Sequence, residues 1–396
     1  MRFSEFGNAL ALPFKGSPYF TDGITVPENA TLLVEPGVTI KLKSNYAQFI
    51  VDGTLKALGL ASKGIVFTSD DLNLWCGLSF SPKSKNSDLE YVTVNQASSS
   101  SCGDVHATEY AVLIDHSTIL FKNSSITKGD SIRPLYLKGS DSFVDNIKIS
   151  EATFDQNSSA VFIDGGSPTI QNSTFSGNSI GIYSTANTAL PGTPIIKNNT
   201  FSANTYPIYF DNPSFSLSGN TAIQNTYNGV FAAGAVYYSD AVWQADLPYF
   251  INQFTVNAGK KLTLQPGVVI KFIGKPYSEP GVRALIVNGT LLAQGTPEKP
   301  VTFANDDSVS NWRRIYFAPG STGSVLQNTI IKYGGNKLNE GALYVESSSV
   351  QIQNAAITLQ SGAYGFDIAI AACPVISGVT VQGGEMFSPA GASCPL

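Results

Sequence analysis

Charged side chains recur at one position of a repeated strand pattern in the first half of the chain. Asp115, Lys138, Asp164, Thr185 and Asp211 stand in this order at the ends of short, mostly apolar segments, such as VLI or VFI. If these segments are stacked strands, neighbouring side chains lie ~5 Å apart and alternate ones ~10 Å apart. Two carboxylates at such distances are the groups that glycoside hydrolysis uses, and the wider pair suits an inverting mechanism. His116, directly after Asp115, adds a candidate base.

The same charged column also fits a protein without catalytic activity, because an Asp–Lys–Asp ladder at a strand edge is an ordinary solvated surface.

A second acidic pattern could bind a metal ion or could simply form turns. Asp70-Asp71 and Asp306-Asp307 are adjacent carboxylates that could ligate calcium, which takes six to eight oxygens. Aspartate also favours turns by bonding its own backbone. We therefore expect no metal and no other cofactor.

The elements that would position these residues repeat along the chain. The segments ATFDQNSSAVFI, STFSGNSIGIYS and NTFSANTYPIYF begin at Ala152, Ser173 and Asn199, with steps of 21 and 26 residues. Their strands alternate apolar and polar residues and are too short for stable helices. A fixed period with variable insertions is typical of a solenoid. We predict a coil of parallel strands in which five residues point inward and stack: Phe154, Phe175, Phe201, Ile331 and Ile357.

Two columns of asparagine and glycine mark the turns between these strands. The column of Asn157, Asn178 and Asn204 contains residues that tolerate positive φ, which predicts a left-handed turn residue on every rung. A second column lies six residues earlier, and its side chains are predicted to hydrogen-bond from rung to rung. Its asparagines are Asn123, Asn172, Asn198, Asn328 and Asn354.

The chain also contains a longer duplication. PYFTDGITVPENATLLVEPGVTIKL, from Pro18, aligns with PYFINQFTVNAGKKLTLQPGVVIKF, from Pro248, and Trp75 then aligns with Trp312. We predict a duplicated module, stacked roughly end to end. The predicted parts are an N-terminal segment (1–17), a first module (18–230), an apolar junction (231–247) and a second module (248–396) with a C-terminal tail.

The run TLLVEPGVTIKL, VDGTLKALG and GIVFTS, followed by Trp75, resembles the opening coils of right-handed parallel β-helix proteins of the pectin-lyase-like superfamily. It is most similar to those of large secreted or surface-attached microbial proteins, and the likeness covers nearly all of residues 18–390. The resemblance implies an all-β solenoid but little about activity, because the fold hosts lyases, hydrolases, tailspikes, adhesins and filament subunits. The chain lacks the paired-Asp and His-Gly patterns of polygalacturonases. It also lacks an arginine beside a carboxylate cluster, as in calcium-dependent pectate lyases.

Composition narrows the function further. Charged residues make up 13% of the chain and the net charge is −5, so nucleic acid is not an expected partner. No apolar run is long enough for a transmembrane helix, and no signal peptide is visible in Met1–Phe14. The even number of cysteines favours an oxidising, extracellular or cell-surface location. Cys76 with Cys102 and Cys373 with Cys394 could form disulfides, or all four could be buried thiols.

Two functions remain open from the sequence. The first is a non-catalytic extracellular structural or adhesive rod that contacts a surface glycan or the cell envelope. The second is a polysaccharide lyase or hydrolase that uses the column from Asp115 to Asp211. The apolar segment Met1–Gly16 could cap its own first rung, or it could dock on the last rung of another copy. The second arrangement would build a head-to-tail filament.

Overall fold

The computed structural model describes residues 9–70, 74–97, 110–127, 133–150, 158–185, 187, 189–211, 214–236, 239–273, 284–306, 312–335, 340–347, 349–370 and 372–388. Apart from a 3-10 turn at Phe14–Gly16, the regular structure in these ranges consists of short strands. The chain divides into two compact units. Unit 1 comprises Met1–Tyr209 and Ser216–Asn228, and unit 2 comprises Phe210–Phe215 and Gly229–Leu396.

The strands of the first unit follow one another in chain order, each three to six residues long. They are β1 Ala9–Leu12, β2 Tyr19–Thr21, β3 Ile24–Val26, β4 Thr31–Val34, β5 Thr39–Leu42, β6 Phe49–Val51, β7 Thr54–Leu58, β8 Ile65–Ser69, β9 Leu78–Phe80, β10 Ser87–Glu90, β11 Val92–Asn95, β12 Tyr110–Asp115, β13 Ile119–Lys122, β14 Ser125–Thr127, β15 Arg133–Lys138, β16 Phe143–Asp145, β17 Lys148–Ser150, β18 Ser159–Asp164, β19 Thr169–Gln171, β20 Thr174–Ser176, β21 Ile180–Ser184, β22 Ile195–Lys197, β23 Thr200–Ser202, β24 Tyr206–Phe210, β25 Ser216–Ser218 and β26 Thr221–Ile223.

The strands of unit 2 continue the same pattern. They are β27 Val230–Ala232, β28 Ala235–Val236, β29 Ala241–Trp243, β30 Tyr249–Ile251, β31 Gln253–Val256, β32 Lys261–Leu264, β33 Val269–Phe272, β34 Ala284–Val287, β35 Thr290–Gln294, β36 Val301–Asn305, β37 Arg314–Phe317, β38 Val325–Gln327, β39 Thr329–Lys332, β40 Gly341–Val345, β41 Gln351–Gln353, β42 Ala356–Thr358, β43 Tyr364–Ile368, β44 Val375–Ser377, β45 Thr380–Gln382 and β46 Glu385–Phe387.

Within each unit, strands three places apart in the chain pair with each other in parallel. In unit 1 the first sheet runs β1-β4-β7 and onward, the second β2-β5-β8, and the third β3-β6-β9. Within unit 2 the corresponding runs of paired strands are β29-β32-β35, β27-β30-β33 and β28-β31-β34. Three strands therefore make one rung, and the chain coils, as the sequence repeat predicts. The residues alternate between an inward apolar position and an outward position, which is the period of a strand.

Stacked aromatic and aliphatic side chains fill the interior. Phe175 and Phe201 are fully buried, and their ring centroids lie 5.2 Å apart with 23° between the planes. In unit 2, Ile331 pairs with Ile357 in the same way, and both are buried. The prediction of inward, stacked residues is confirmed for these four, while Phe154 lies outside the described residues.

The two turn columns exchange the roles that the sequence suggests for them. The second column carries the left-handed turn, with φ between 47° at Asn328 and 54° at Asn198. In the first column the turn residue is the one before the asparagine, namely Gly177 with φ 68° and Ala203 with φ 54°. The residue after each turn points inward, which buries Asn178 and Asn204.

The buried asparagines form the ladder that the sequence predicts for the other column. Asn178 donates to Oδ1 of Asn204 from its backbone N (2.9 Å) and from Nδ2 (3.0 Å). Asn204 donates to Asn225 in the same way, at 2.8 and 3.0 Å. The Asn123 column is instead joined only in part, for example by Asn146 Nδ2 donating to Asn123 Oδ1 at 2.8 Å.

The predicted duplication is confirmed down to single hydrogen bonds. Trp75 Nε1 donates to Asn95 O at 2.7 Å, and Trp312 Nε1 donates to Lys332 O at 2.8 Å. The serine pairs Ser84/Ser87 and Ser321/Ser324 occupy equivalent corners with the same Oγ–Oγ distance, 3.2 Å. The aligned segments of the two predicted modules therefore make the same local contacts.

The N-terminal segment and the predicted junction both contribute strands. Ala9–Leu12 pairs in parallel with Thr31–Val34 of its own chain, so β1 lies on the first sheet of unit 1. Within the predicted apolar junction, β28 pairs with β31 and β29 pairs with β32. The division into modules at residues 230 and 248 stays a prediction. Among the described residues there is no helix with the length and hydropathy needed to cross a membrane.

Candidate functional site

The predicted charged column lies on the outward face of the third sheet of unit 1. Asp115 pairs with Lys138, and Lys138 pairs with Asp164, so these side chains stand on successive rungs. Asp211, the last member of the predicted column, belongs to unit 2 and is half-buried. The short apolar segments VLI, LYL and VFI place the column because their alternate residues point into the coil.

Asp115 is held between two basic groups. Its Oδ2 accepts a hydrogen bond from Lys138 Nζ at 3.3 Å, and its Oδ1 lies 2.5 Å from His116 Nδ1. His116 occupies the corner after the strand with φ 50°, where the next two rungs carry Gly139 and Gly165. The Asp115 carboxylate therefore has a partner for each oxygen.

Asp164 is the acceptor of a network of uncharged donors. Its Oδ1 accepts from Thr185 Oγ1 at 3.1 Å and from Asn187 Nδ2 at 2.7 Å. Its Oδ2 accepts from the hydroxyl of Tyr136 at 3.1 Å. Burial, with the charge and hydrogen bond of Asp164, raises the pKa of Tyr136 well above its usual range. Tyr136 thus stays protonated and keeps donating to Asp164 at neutral pH.

The candidate calcium ligands do not assemble into a metal site in the part of the chain that the structure describes. Asp70 pairs with Lys41 at 3.5 Å, and Asp71 and Asp307 lie outside the described residues. No group of three or more His, Cys, Asp or Glu side chains that could hold a metal ion occurs among the described residues.

Of the four cysteines, Cys76 and Cys373 are described, and neither is a free thiol. Cys76 is buried, with Sγ 3.3 Å from the carbonyl oxygen of Asn45. The predicted partners Cys102 and Cys394 lie outside the described residues, so the pairing stays a prediction.

A row of aromatic rings runs beside the charged column and was not recognised from the sequence. Each ring stands two residues before a member of the column, as in the segments LYLK, VFID and IYFD. The centroid distances are 5.1 Å for Tyr136–Phe162, 5.2 Å for Phe162–Tyr183 and 5.1 Å for Tyr183–Tyr209, all edge-to-face. Tyr206 continues the row onto Tyr227, 5.2 Å away. The missed signal was the aromatic residue at the outward position of consecutive strands.

An arginine covers the start of this row. The guanidinium carbon of Arg133 lies 4.1 Å from the ring centroid of Phe162 and 5.9 Å from that of Tyr136. Both rings are only 6% exposed, and Arg133 Nε is buried without a hydrogen-bond partner among the described residues. Tyr183, Tyr206, Tyr209 and Tyr227 are half-buried instead. The accessible part of the aromatic row is therefore its tyrosine end.

Unit 2 contains a second outward cluster, also missed, which we name the Arg314 cluster: Arg314, Tyr316, Tyr344 and Glu346. The rings of Tyr316 and Tyr344 stack 5.1 Å apart with 19° between planes. Both hydroxyls donate to Glu346, at 2.7 Å from Tyr344 to Oε1 and by a short bond from Tyr316 to Oε2. The guanidinium of Arg314 lies 4.5 Å from the Tyr344 centroid and 5.9 Å from that of Tyr316.

The pKa values in this cluster shift in opposite directions: that of the shared carboxylate falls, and those of the two tyrosines rise. The two tyrosine hydrogen bonds lower the pKa of the Glu346 carboxyl. Burial first, and then the bond to Glu346, raises the pKa of Tyr316 to about 12. For Tyr344 the bond to Glu346 is the larger cause, and the pKa is again about 12. Burial raises the pKa of neighbouring Asp367, against the opposing effect of Arg314.

Comparison with known proteins agrees with the coil. Residues 84–241 match the family model described as "Right handed beta helix region". No curated protein sequence is a significant match. The chain is similar at 13% identity to the Streptococcus pneumoniae surface protein and adhesin PfbA, with TM-score 0.32 over 98% of this chain and 91% of that one. It is similar at 15% identity to a mutant tailspike protein of E. coli bacteriophage HK620 in complex with a hexasaccharide, with TM-score 0.24 over 91% and 73%.

The parallel sheets, which link every third strand, show on their own that the chain forms a β-helix. The family match adds that the coil is right-handed. The chain is a right-handed parallel β-helix repeat protein.

Proposed function

We propose that the protein is a non-catalytic extracellular structural or adhesive protein, which contacts a surface glycan or the cell envelope through the tyrosine end of the aromatic row in unit 1. The observation that carries this proposal is the pairing of the charged column. The oxygens of Asp115 and Asp164 are engaged by Lys138, Tyr136, Thr185 and nearby polar groups. Carboxylates whose oxygens already accept hydrogen bonds from the protein are poorly placed to exchange protons with a substrate.

The tyrosine end offers the complementary binding chemistry. Tyr183, Tyr206, Tyr209 and Tyr227 are half-buried rings in mutual contact. Each combines a rigid apolar face with a hydroxyl that can donate and accept. A row of such rings on a pleated sheet fits a ligand that is itself extended and repetitive. The low share of charged residues and the even cysteine count support an extracellular location.

The adhesive function is tested by attachment of the full chain to immobilised cell-envelope polysaccharide. Replacing Tyr183 and Tyr209 with Ala should weaken attachment by about tenfold or more, because aromatic anchors dominate contact energies. The matched control is Tyr333→Phe, at an exposed tyrosine of unit 2. Unchanged attachment of the double variant would contradict the proposal.

The filament form of the proposal adds head-to-tail association of copies. Strand addition at a terminal rung is heterologous, so it builds an open assembly. Electron microscopy of the purified protein should then show filaments whose number increases with concentration. A protein that remains monomeric at high concentration would remove the filament but leave the adhesive function intact.

One contact favours the alternative, a polysaccharide lyase or hydrolase on the charged column. His116 Nδ1 lies 2.5 Å from Asp115 Oδ1, and a carboxylate that orients an imidazole is a recurrent acid–base arrangement. The non-catalytic proposal predicts no depolymerisation of pectin or alginate, measured as release of reducing or unsaturated ends. Depolymerisation that disappears in His116→Gln or Asp164→Asn would establish the enzyme instead.

A further inference from the structure

The Arg314 cluster repeats an arrangement already present in unit 1. In both units a tyrosine on one rung donates to a carboxylate on the next rung. Two residues before that carboxylate stands an aromatic residue whose ring contacts the tyrosine. The pairs are Tyr136 with Asp164 and Tyr316 with Glu346. In both, an arginine on the first rung covers the ring of the next, at 4.1 Å for Arg133 and 4.5 Å for Arg314.

The two arrangements occupy the same outward column of corresponding sheets but different rungs. Leu343 pairs with Ile315 in unit 2 as Val112 pairs with Leu78 in unit 1, so Tyr344 is equivalent to Leu113 rather than to an aromatic residue. The grouping of arginine, stacked rings and carboxylate thus arises at two separate places in the coil.

Accessibility separates the two copies. The rings of Tyr136 and Phe162 are buried, whereas Tyr316, Tyr344, Glu346 and nearby Asp367 are all half-buried. The Arg314 side chain is 16% exposed. A ligand can therefore reach the polar groups of the Arg314 cluster.

Arg314 also has hydrogen-bonding capacity to spare. A guanidinium has five N–H donors, but the nearest oppositely charged atom in the part of the chain that the structure describes is Glu340 Oε1, 4.0 Å from Nη2. That carboxylate is bound more closely by Arg313, at 3.0 and 3.3 Å. The Tyr344 ring therefore holds the Arg314 guanidinium in place while its donors remain available to a ligand.

The surrounding charges select the class of ligand. Arg313 binds Glu340, and Arg314 lies near Glu340, Glu346 and Asp367. These two arginines and three carboxylates together carry one net negative charge when ionised. An anionic ligand is disfavoured by the carboxylates, and a metal ion by the arginines. A neutral hydroxyl donates to a carboxylate and accepts from a guanidinium at once, and such charge-assisted hydrogen bonds are the strong ones. The C–H face of a sugar ring also complements the negative face of an aromatic ring.

We infer that the Arg314 cluster is a second binding site, in unit 2, for a neutral, hydroxyl-rich saccharide. The inference rests on the adhesive function proposed above for one point only, that the ligand is a saccharide. Arg314 donates to ring hydroxyls, Glu346 accepts from them, and the stacked tyrosines support one face of the sugar. The site is local to unit 2 and independent of the tyrosine end of unit 1.

The inference is tested by calorimetric titration of the full chain with cellohexaose, maltohexaose and mannohexaose, with hexagalacturonate as the acidic probe. At least one neutral probe should bind with Kd below about 1 mM. Arg314→Lys keeps the charge but loses the planar donors, and should weaken binding about tenfold. Tyr316→Phe removes one hydroxyl and should weaken it severalfold. The matched control Tyr333→Phe loses an exposed hydroxyl elsewhere in unit 2 and should bind normally.

The inference is overturned if none of the three neutral probes binds with Kd below about 1 mM, if hexagalacturonate binds more tightly than all of them, or if Arg314→Lys binds like the parent chain. Urea unfolding of each variant checks that the fold is intact. The attachment assay separates this site from the proposed function. An Arg314→Lys chain that still attaches to envelope polysaccharide leaves the adhesive function standing, and a Tyr183/Tyr209 double variant that still binds the soluble probe leaves this site standing.

Discussion

Asn204 accepts two hydrogen bonds from Asn178, one rung away, from the backbone N at 2.9 Å and from Nδ2 at 3.0 Å. Both residues are 2% exposed, and Asn204 Nδ2 in turn donates to the Phe175 carbonyl at 3.0 Å. The ladder thus satisfies backbone and side-chain groups that the turn would otherwise leave buried without partners.

Replacing Asn204 with Ala should destabilise unit 1 by about 1–3 kcal/mol for each buried group that it leaves unpaired. The measurement is the midpoint of urea unfolding followed by circular dichroism. Thr200→Ala, at an exposed outward position nearby, should shift the midpoint little. Equal midpoints for the two variants would show that the ladder adds nothing to stability.

Replacing Phe175 with Ala should destabilise the coil by about 3–5 kcal/mol, because the ring is fully buried and the stacked Phe201 cannot fill the space. Phe175→Leu retains much of the volume and should cost clearly less. Urea unfolding again gives the comparison. A Phe175→Ala chain as stable as Phe175→Leu would mean that the interior closes over the lost ring.

The Arg314 cluster should make the protein lose stability as the pH rises from 10.0 to about 12. The ordinary tyrosine pKa is 10.0, and in the folded chain Tyr316 and Tyr344 have pKa values of about 12. The unfolded chain releases these protons first, so the folded state binds more protons in this interval and the free energy of unfolding falls. The double variant Tyr316→Phe/Tyr344→Phe should show a shallower alkaline decline than Tyr333→Phe. Identical slopes would contradict the raised pKa values of Tyr316 and Tyr344.

Thiol titration tests the proposed location. If Cys76 pairs with Cys102 and Cys373 with Cys394, denatured, non-reduced protein should react with no thiol reagent, and reduction should release four thiols. The double variant Cys76→Ser/Cys102→Ser should release only two. Free thiols in the untreated protein would remove the support that the cysteines give to an extracellular location.

Deletion of residues 1–16 should destabilise the first rungs of unit 1. It removes β1, whose partner is Thr31–Val34, and so leaves the backbone groups of β4 as an open edge. We expect a lower midpoint of thermal unfolding and a concentration-dependent increase in light scattering. Deletion of residues 1–8 alone leaves β1 in place and is the control. A shorter chain that stays monomeric and equally stable would show that β1 does not protect the edge.

The coil could be predicted from the sequence because its signal is periodic. Phe175 and Phe201 recur with the rung, and Trp75 aligns with Trp312, so repeat and duplication were both visible. The assignment of the two asparagine columns failed for a physical reason. Asparagine suits a left-handed turn and a buried ladder equally well, and only the neighbouring Gly177 and Ala203, with positive φ, decide between the two roles.

The candidate sites were harder to predict. The charged column was found because Asp115, Lys138 and Asp164 follow similar strands, but its pairing with Tyr136 depends on the register of two rungs. The Arg314 cluster is assembled from β37 and β40, whose residues Tyr316 and Glu346 lie 30 positions apart. No local motif connects them, since the contact exists only after the chain has completed one turn of the coil.

The parallel pairing of each strand with the strand one turn later has a mechanical consequence for unit 1. Its interstrand bonds run along the coil, and β1 is held only through β4 in its sheet. Tension applied at the N-terminal end therefore loads a few hydrogen bonds at a time, and the unit should yield by peeling, one turn after another, at low force. An attachment point in the middle of the coil would instead have to break several strands together, so the way this molecule resists shear depends on where it is held.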